Sequence, residues 1–364
     1  MEPITFARGA PSLDIVDVDG LAAAAQRAFA GDPGGMVAYG TAVGYRPLRA
    51  WIAERHQVAP EQVMVTNGSM QADAFLFDLL VDEGDSVVVE DPTYDRTLLS
   101  LTGRGANVAQ VELDADGLVT DELERRLRDG LAPRLAHVIP NFQNPAGVTL
   151  SLERRRALLE LADAHEFVVF EDDPYLDIRF RGERLPTMLG LDGADRVVYA
   201  SSFSKTICPG IRIGYLLGPE ALIAEAVKRA TNTYIAPNMV AQAIANEFCR
   251  SGQLEHSIET VREALRERAE TLARALEREL PGCRFVEPDG GYFLWVQLPE
   301  GVDVDALHAA ATERGVIFVK GTDFKLEGGH DALRLAYSGV TPEQIGEGVA
   351  RLAAAVEAVQ RTPA

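Results

Sequence analysis

Ser202, Ser204, Lys205 and Arg212 lie close together in the run SSFSKTICPGIR. Two hydroxyls and a guanidinium are what a phosphate needs: short charge-assisted hydrogen bonds, with a bidentate fork from arginine. Gly68-Ser69 opens a helical pattern, and the free N–H groups and dipole at a helix start also hold an anion. A lysine beside a phosphate cradle is a candidate catalytic amine, because neighbouring cations and desolvation lower its pKa and allow a Schiff base. Asp172 ends the apolar run FVVFED. A carboxylate there is placed to pair with a ring N–H, which is what a pyridinium cofactor requires.

These groups share one kind of position, a polar cluster just after a short apolar run. Strands are expected at residues 63–66, 86–89, 108–113, 136–140, 167–170, 197–200 and 212–217. Their near-continuous apolar character suits strands covered on both faces. Helical patterns at 69–83, closed by Gly84, and at 151–165, capped by Ser151, lie between them. The alternation predicts an α/β fold with a mostly parallel seven-stranded sheet. Its carboxyl edge would collect Thr66–Ser69, Glu90–Tyr94, Asn141–Pro145, Glu171–Tyr175 and Ser201–Lys205, and such edges are where ligands bind.

After about residue 255 the pattern changes. Ile258, Val261, Leu265, Leu272, Leu276 and Leu280 recur at helical steps up to Pro281-Gly282, one long amphipathic helix. CRFVEPDGGYFLWVQLP and GVIFVKG read as strands and 341–359 as a closing helix, a second, smaller α+β domain. The expected division is an N-terminal segment (1–35) packing with the small domain, a large domain (36–255), and a linking helix with the small domain (256–364).

Composition narrows the function. The chain has 364 residues, 35 Lys plus Arg against 55 Asp plus Glu, and a net charge of −20. That charge repels nucleic-acid backbones and anionic lipid heads. Three cysteines without a CxxC pair and six histidines without HxxxH or HExxH spacing speak against a disulfide framework and a metal site. The N-terminus lacks a signal-like apolar run, and no stretch reaches membrane-spanning length, so a cytoplasmic protein is expected. The run Arg154-Arg155-Arg156 reads as a solvated helix face.

SSFSKTICPGIRIGY resembles the cofactor-lysine segment of fold-type I, pyridoxal-phosphate-dependent aminotransferases, and NFQNPAG, EDDPY and ALRLAYSG match the other blocks in order. The likeness runs from ITFARGAPS to the final helix. It is nearest to 2-aminoadipate/kynurenine-type enzymes and to the aminotransferase-like half of MocR-type regulators. The resemblance implies pyridoxal 5'-phosphate as cofactor. Lys205 would form the Schiff base and move the Cα proton, Asp172 would keep the pyridine nitrogen protonated, and Tyr175 and Asn144 would bond the phenolate oxygen. Tyr94 would stack on the ring. Gly68, Ser69, the Met70 N–H, Ser202, Ser204 and Arg212 would hold the phosphate.

Arg334, helped by Asn144, would pair with the substrate carboxylate, and Gly9 would lend a backbone contact at the substrate mouth. Tyr39 would reach across a homodimer into the partner's site. The substrates would be an amino acid and a 2-oxo acid, with glutamate/2-oxoglutarate as one pair. Met70, Arg8 and Lys320 depart from the family pattern, and the two cations are candidates to read a substrate side-chain carboxylate. Elimination, replacement or cyclisation on the same scaffold, and a cofactor-holding regulatory module, use the same lysine and aspartate.

Overall fold

The computed structural model describes residues 2–192 and 196–361. The strands of the large sheet are β2 (Val63–Thr66), β3 (Ser86–Asp91), β4 (Asn107–Asp114), β5 (Gly117–Leu118), β6 (Pro133–Val138), β7 (Val168–Asp172), β8 (Val197–Ser202) and β9 (Gly214–Leu217). They run in the order β2-β9-β8-β7-β6-β3-β4-β5. All seven expected strands form. The addition is β5, a two-residue strand antiparallel to β4 at the edge. β8, β7, β6, β3 and β4 are parallel, while β9 is antiparallel to both β8 and β2. β2 therefore points the same way as the parallel set, and the start of β9 meets their carboxyl ends.

Alternate residues explain why the strands read as unbroken apolar runs. Val87, Val89, Leu135, Phe170, Val198 and Ala200 face one core, under the helices Ser69–Leu80 and Glu220–Tyr234. Val88, Ala136, Val138, Val169, Val197 and Tyr199 face the other, under the helices Leu152–Ala164 and Met239–Arg250. With both faces buried, neither register is polar. Ser151 caps the helix Leu152–Ala164 by accepting from the Arg154 N–H.

The C-terminal half builds an antiparallel sheet in the order β10-β11-β14-β13 from β10 (Arg284–Phe285), β11 (Phe293–Gln297), β13 (Val319–Lys320) and β14 (Ala332–Ala336). β12 (Val316–Ile317) pairs instead with the N-terminal β1 (Ile4–Thr5). The helix Gln253–Glu279 joins the two halves: Leu254 and Ile258 lie in the large core, and Val261 to Leu276 in the small one. The N-terminal segment divides. Residues 4–6 pair with the small domain, and Arg268 fixes Ser12 and Asp14. The helix Val18–Gly31 instead lies on Met239–Arg250, because Ala24 and Ala28 offer a small-residue face to the large core.

The loops that follow β3, β6 and β7 are braced by buried polar groups. Gln143 donates to Glu90 at 2.9 Å and to the Pro92 carbonyl at 2.8 Å, and Ile139 N–H donates to Glu90 at 3.2 Å. From the other side Arg155 donates to Leu150 O, Pro186 O, Pro140 O and Asn141 Oδ1 at 2.9–3.1 Å. Asn141 in turn donates to both oxygens of Asp173. The solvated reading of the basic run fails at Arg155, which is fully buried: three acceptors in the loop before its helix and one at Pro186 offset its desolvation. Arg154 pairs with Asp114 at the surface. Arg155→Met would strand those acceptors, and chemical denaturation should show a loss of about 3–5 kcal/mol. A loss below about 1 kcal/mol would mean that water replaces the guanidinium.

Candidate active site

A cavity of about 490 Å³ opens at the carboxyl edge of the large sheet, between the two domains. One end is a cradle for an anion. The helix Ser69–Leu80 begins there with no side-chain cap on its first N–H groups. Ser202 Oγ and Ser204 Oγ are 2.9 Å apart, and Arg212 Nη1 donates to Ser204 Oγ at 3.5 Å. Arg212 stands at φ +50°, which delays the expected strand so that β9 starts at Gly214. A Cβ on Gly68 would fall 2.3 Å from Arg212 Nη2, and one on Gly214 would fall 2.3 Å from the Ser69 nitrogen. Both glycines exist so that helix start and guanidinium can meet.

Lys205 lies beyond the cradle, its ammonium nitrogen 5.8 Å from the Tyr175 ring centre and 5.3 Å from that of Tyr292. It donates to the Gly9 carbonyl, and Tyr292 Oη donates back to the Lys205 carbonyl at 2.7 Å. Burial, then the charges of Arg334 and Arg212, lower the amine to about 8 against the pull of Asp172. Asp172 lines the same cavity, buried, and its Oδ1 has no hydrogen-bond partner among the described residues. Tyr94 lines it too, its hydroxyl 3.8 Å from Met70 Sδ.

The small domain closes the far end. Arg334, on β14, donates to Asn144 Oδ1 at 2.8 Å and to the Ala7 carbonyl at 2.6 Å. Its guanidinium lies 4.3 Å from the Phe293 ring centre and 4.8 Å from that of Phe324. Burial lowers it to about 10, so it stays charged at neutral pH. Its Nε is buried without a partner among the described residues. The strap of residues 7–9 thus supplies carbonyls to both cations. Gly9 is tied to this close approach, since a Cβ there would fall 2.2 Å from the Phe293 ring.

The cavity therefore gathers Gly9, Ser69, Met70, Tyr94, Asn144, Asp172, Tyr175, Ser202, Ser204, Lys205, Arg212 and Arg334, with Gly68 directly behind Arg212. Tyr39 is elsewhere on its own chain, 92% exposed. Lys320 does not reach the cavity: it pairs with Asp305 at 2.6 Å on the outer side of the small domain, where opposite charge is near. Arg8 is exposed and is not among the residues that line the cavity. Neither cation lines its own chain's cavity. The sequence reading missed Asp73, Tyr292, Phe293 and Phe324. Of these, Asp73 had a signal, as the one acid one helical turn after Ser69 in the apolar run ADAFLF.

An anion cradle, an amine with lowered pKa and an unpartnered buried carboxylate fit pyridoxal phosphate, and with this fold they define a fold-type I enzyme of that cofactor. Residues 2–352 match the family described as aminotransferase class I and II. The chain is 34% identical to 2-aminoadipate transaminase of Thermus thermophilus over 97% of its length and 90% of that protein's. It is 34% identical to aromatic-amino-acid aminotransferase 1 of Thermococcus litoralis, over 88% of this chain and 79% of the other. The crystal structure of an alpha-aminoadipate aminotransferase from Thermus thermophilus, complexed with N-(5'-phosphopyridoxyl)-L-leucine, superposes with a TM-score of 0.93. Its identity is 33%, covering 98% of this chain and 93% of that one. The chain belongs to the class I and II aminotransferases and is a pyridoxal-phosphate-dependent enzyme.

The lowered amine predicts a pH profile. In the cofactor-free chain Lys205 is charged below about pH 8, and only the neutral amine attacks a carbonyl. The uptake rate of pyridoxal phosphate should rise up to about tenfold per unit below pH 8 and level off above it. A rise that continues to about pH 10 would show an ordinary surface lysine.

Proposed function

We propose that the chain transfers an amino group from an L-amino acid to a 2-oxo acid, with glutamate and 2-oxoglutarate as one pair. The observation that carries this reading is one cavity holding an anion cradle, a buried carboxylate and a buried arginine around Lys205. The likeness to a 2-aminoadipate transaminase supports a dicarboxylic partner. Val37 and Tyr39 stand exposed close together in sequence, which supports a homodimer with Tyr39 entering the partner's site.

Pyridoxal phosphate, when bound, supplies a carbonyl that joins amines as a Schiff base and a ring that takes up the electron pair left at Cα. Ser69, the Met70 N–H, Ser202, Ser204 and Arg212 hold its phosphate through charge-assisted bonds. Asp172 would set its carboxylate toward the ring nitrogen, an electrostatic contribution that costs no reorganisation because the group is already buried in the cavity wall. Tyr175 and Asn144 serve the phenolic oxygen, and Tyr94 provides an aromatic face. Arg334 clamps the substrate carboxylate, orienting Cα toward the lysine. Lys205, as a free amine, would take the proton from the substrate's Cα and hold it as an ammonium until it is returned to the product. Its lowered pKa suits that shuttle.

Titrating the loaded enzyme with a panel of amino acids, without acceptor, should replace its yellow absorbance by a shorter-wavelength band for the true donor. Release of ammonia instead would convert the reading to elimination. Lys205→Ala should lose essentially all turnover while folding normally by circular dichroism. Arg334→Ala should raise KM for the amino acid by about 10²-fold or more, with cofactor affinity within about threefold. Equal losses of both would remove Arg334 from the clamp role.

A further inference from the structure

Asp73 has no place in that scheme, yet it lines the same cavity as Asp172. Ser69, Asp73 and Phe77 follow at steps of four along the helix Ser69–Leu80, so they share one face. Ser69 lines the cradle end, and the Phe77 ring meets those of His137 at 6.2 Å and Phe170 at 5.9 Å. His137 Nε2 is 3.7 Å from Asp172 Oδ2, too far for a hydrogen bond. Asp73 lies between these two anchors along the helix, only 8% exposed, and shares the cavity lining with an Asp172 that is 5% exposed. Oδ1 of each carboxyl is buried without a partner among the described residues, as are both ring nitrogens of His137.

Two ionised carboxylates in one desolvated patch repel, and such pairs keep a proton. Burial, then the charge of Asp172, push Asp73 well above the usual carboxylate range. The titratable groups around the pair include His137 from β6, Glu90 from β3, Tyr94 from the loop after β3, Tyr175 from the loop after β7, and Lys205 from the loop after β8. Lys205 is already engaged by the Gly9 carbonyl, and Arg212 faces Ser204.

We propose that Asp73 is a positioning residue for Asp172: the two carboxyls hold a single proton, carried by Asp73, so that one negative charge, on Asp172, meets the cofactor's ring nitrogen. This rests on the cofactor reading for its purpose but not for its existence. The test begins with the full chain free of cofactor. Infrared difference spectra at neutral pH, wild type minus Asp73→Asn, should show a protonated-carboxyl carbonyl band. Glu90 and Asp173, other buried acids pushed up to about 8, cancel in the difference.

Stability gives a second readout. Asp73 ionises in the ordinary range when unfolded and above it when folded, so its contribution is full below about pH 4 and lost as pH rises. The melting temperature of Asp73→Asn should therefore gain on wild type progressively from about pH 4 to pH 8. Asp73→Leu, close in volume and free of polar atoms, should lose the same infrared band if the amide variant folds poorly. In the loaded enzyme, wild type should show an alkaline step in the cofactor's absorbance that both variants lack.

No infrared difference, or a stability margin that does not change with pH, would overturn the shared proton. An alkaline step kept in the variants would overturn its action on the ring. A chain that shows the infrared band but takes up no pyridoxal phosphate would sink the cofactor reading and leave the carboxyl pair standing.

Discussion

A buried guanidinium and a half-buried ammonium end on the carbonyls of one short strap: Arg334 on Ala7, and Lys205 on Gly9. Taking ammonium and guanidinium groups out of water is costly, and main-chain carbonyls offset only part of that cost. Both groups thus stay attractive to a carboxylate or an electrophilic carbonyl, which is the state a transaminating site needs. The strap is there because β1 pairs with β12, the Ala336 N–H reaches Phe6 O, and Arg268 donates to Ser12 and to the Ser338 carbonyl. Neither domain builds this site alone, since the cradle and lysine belong to one and the clamp to the other.

The acids sort into two uses by what lies around them. Glu90 and Asp173 are both pushed up to about 8, by burial foremost, and each accepts hydrogen bonds that brace the loop of residues 139–146. Asn144 owes its place against Arg334 to that bracing. Asp172 has no such partner on Oδ1 and faces the cavity instead. A carboxylate satisfied by its neighbours builds the scaffold, and one left with a free oxygen is available to a ligand.

The cavity walls near Arg334 are aromatic, with Phe293 and Phe324 against the guanidinium. Cation–π contact supports the fork without consuming its donors, so the guanidinium is held in place and still able to bond a carboxylate. Of the two cations that depart from the family pattern, Lys320 pairs with Asp305, and neither it nor Arg8 lines this cavity.

Much of this was legible in order along the chain. The seven strands, the polar clusters at their ends and the lysine in its serine–arginine frame are carried by contiguous residues, and short-range periodicity and spacing record them. The family motifs added roles for Asp172, Tyr175 and Arg334, and the structure brings all of them to one cavity. Other features had no local trace. Arg334 meets Ala7 across a separation of 327 residues. Arg155 looks like one charge in a basic run until the carbonyls of residues 140, 150 and 186 close around it, and Lys320 looks free until Asp305 stands opposite. Asp73 becomes unusual only when the sheet sets Asp172 beside it. Strand pattern and reactive residue types follow from side-chain size and polarity in sequence. Which charge is buried, paired or left open depends on groups that only the folded chain brings within a few ångströms.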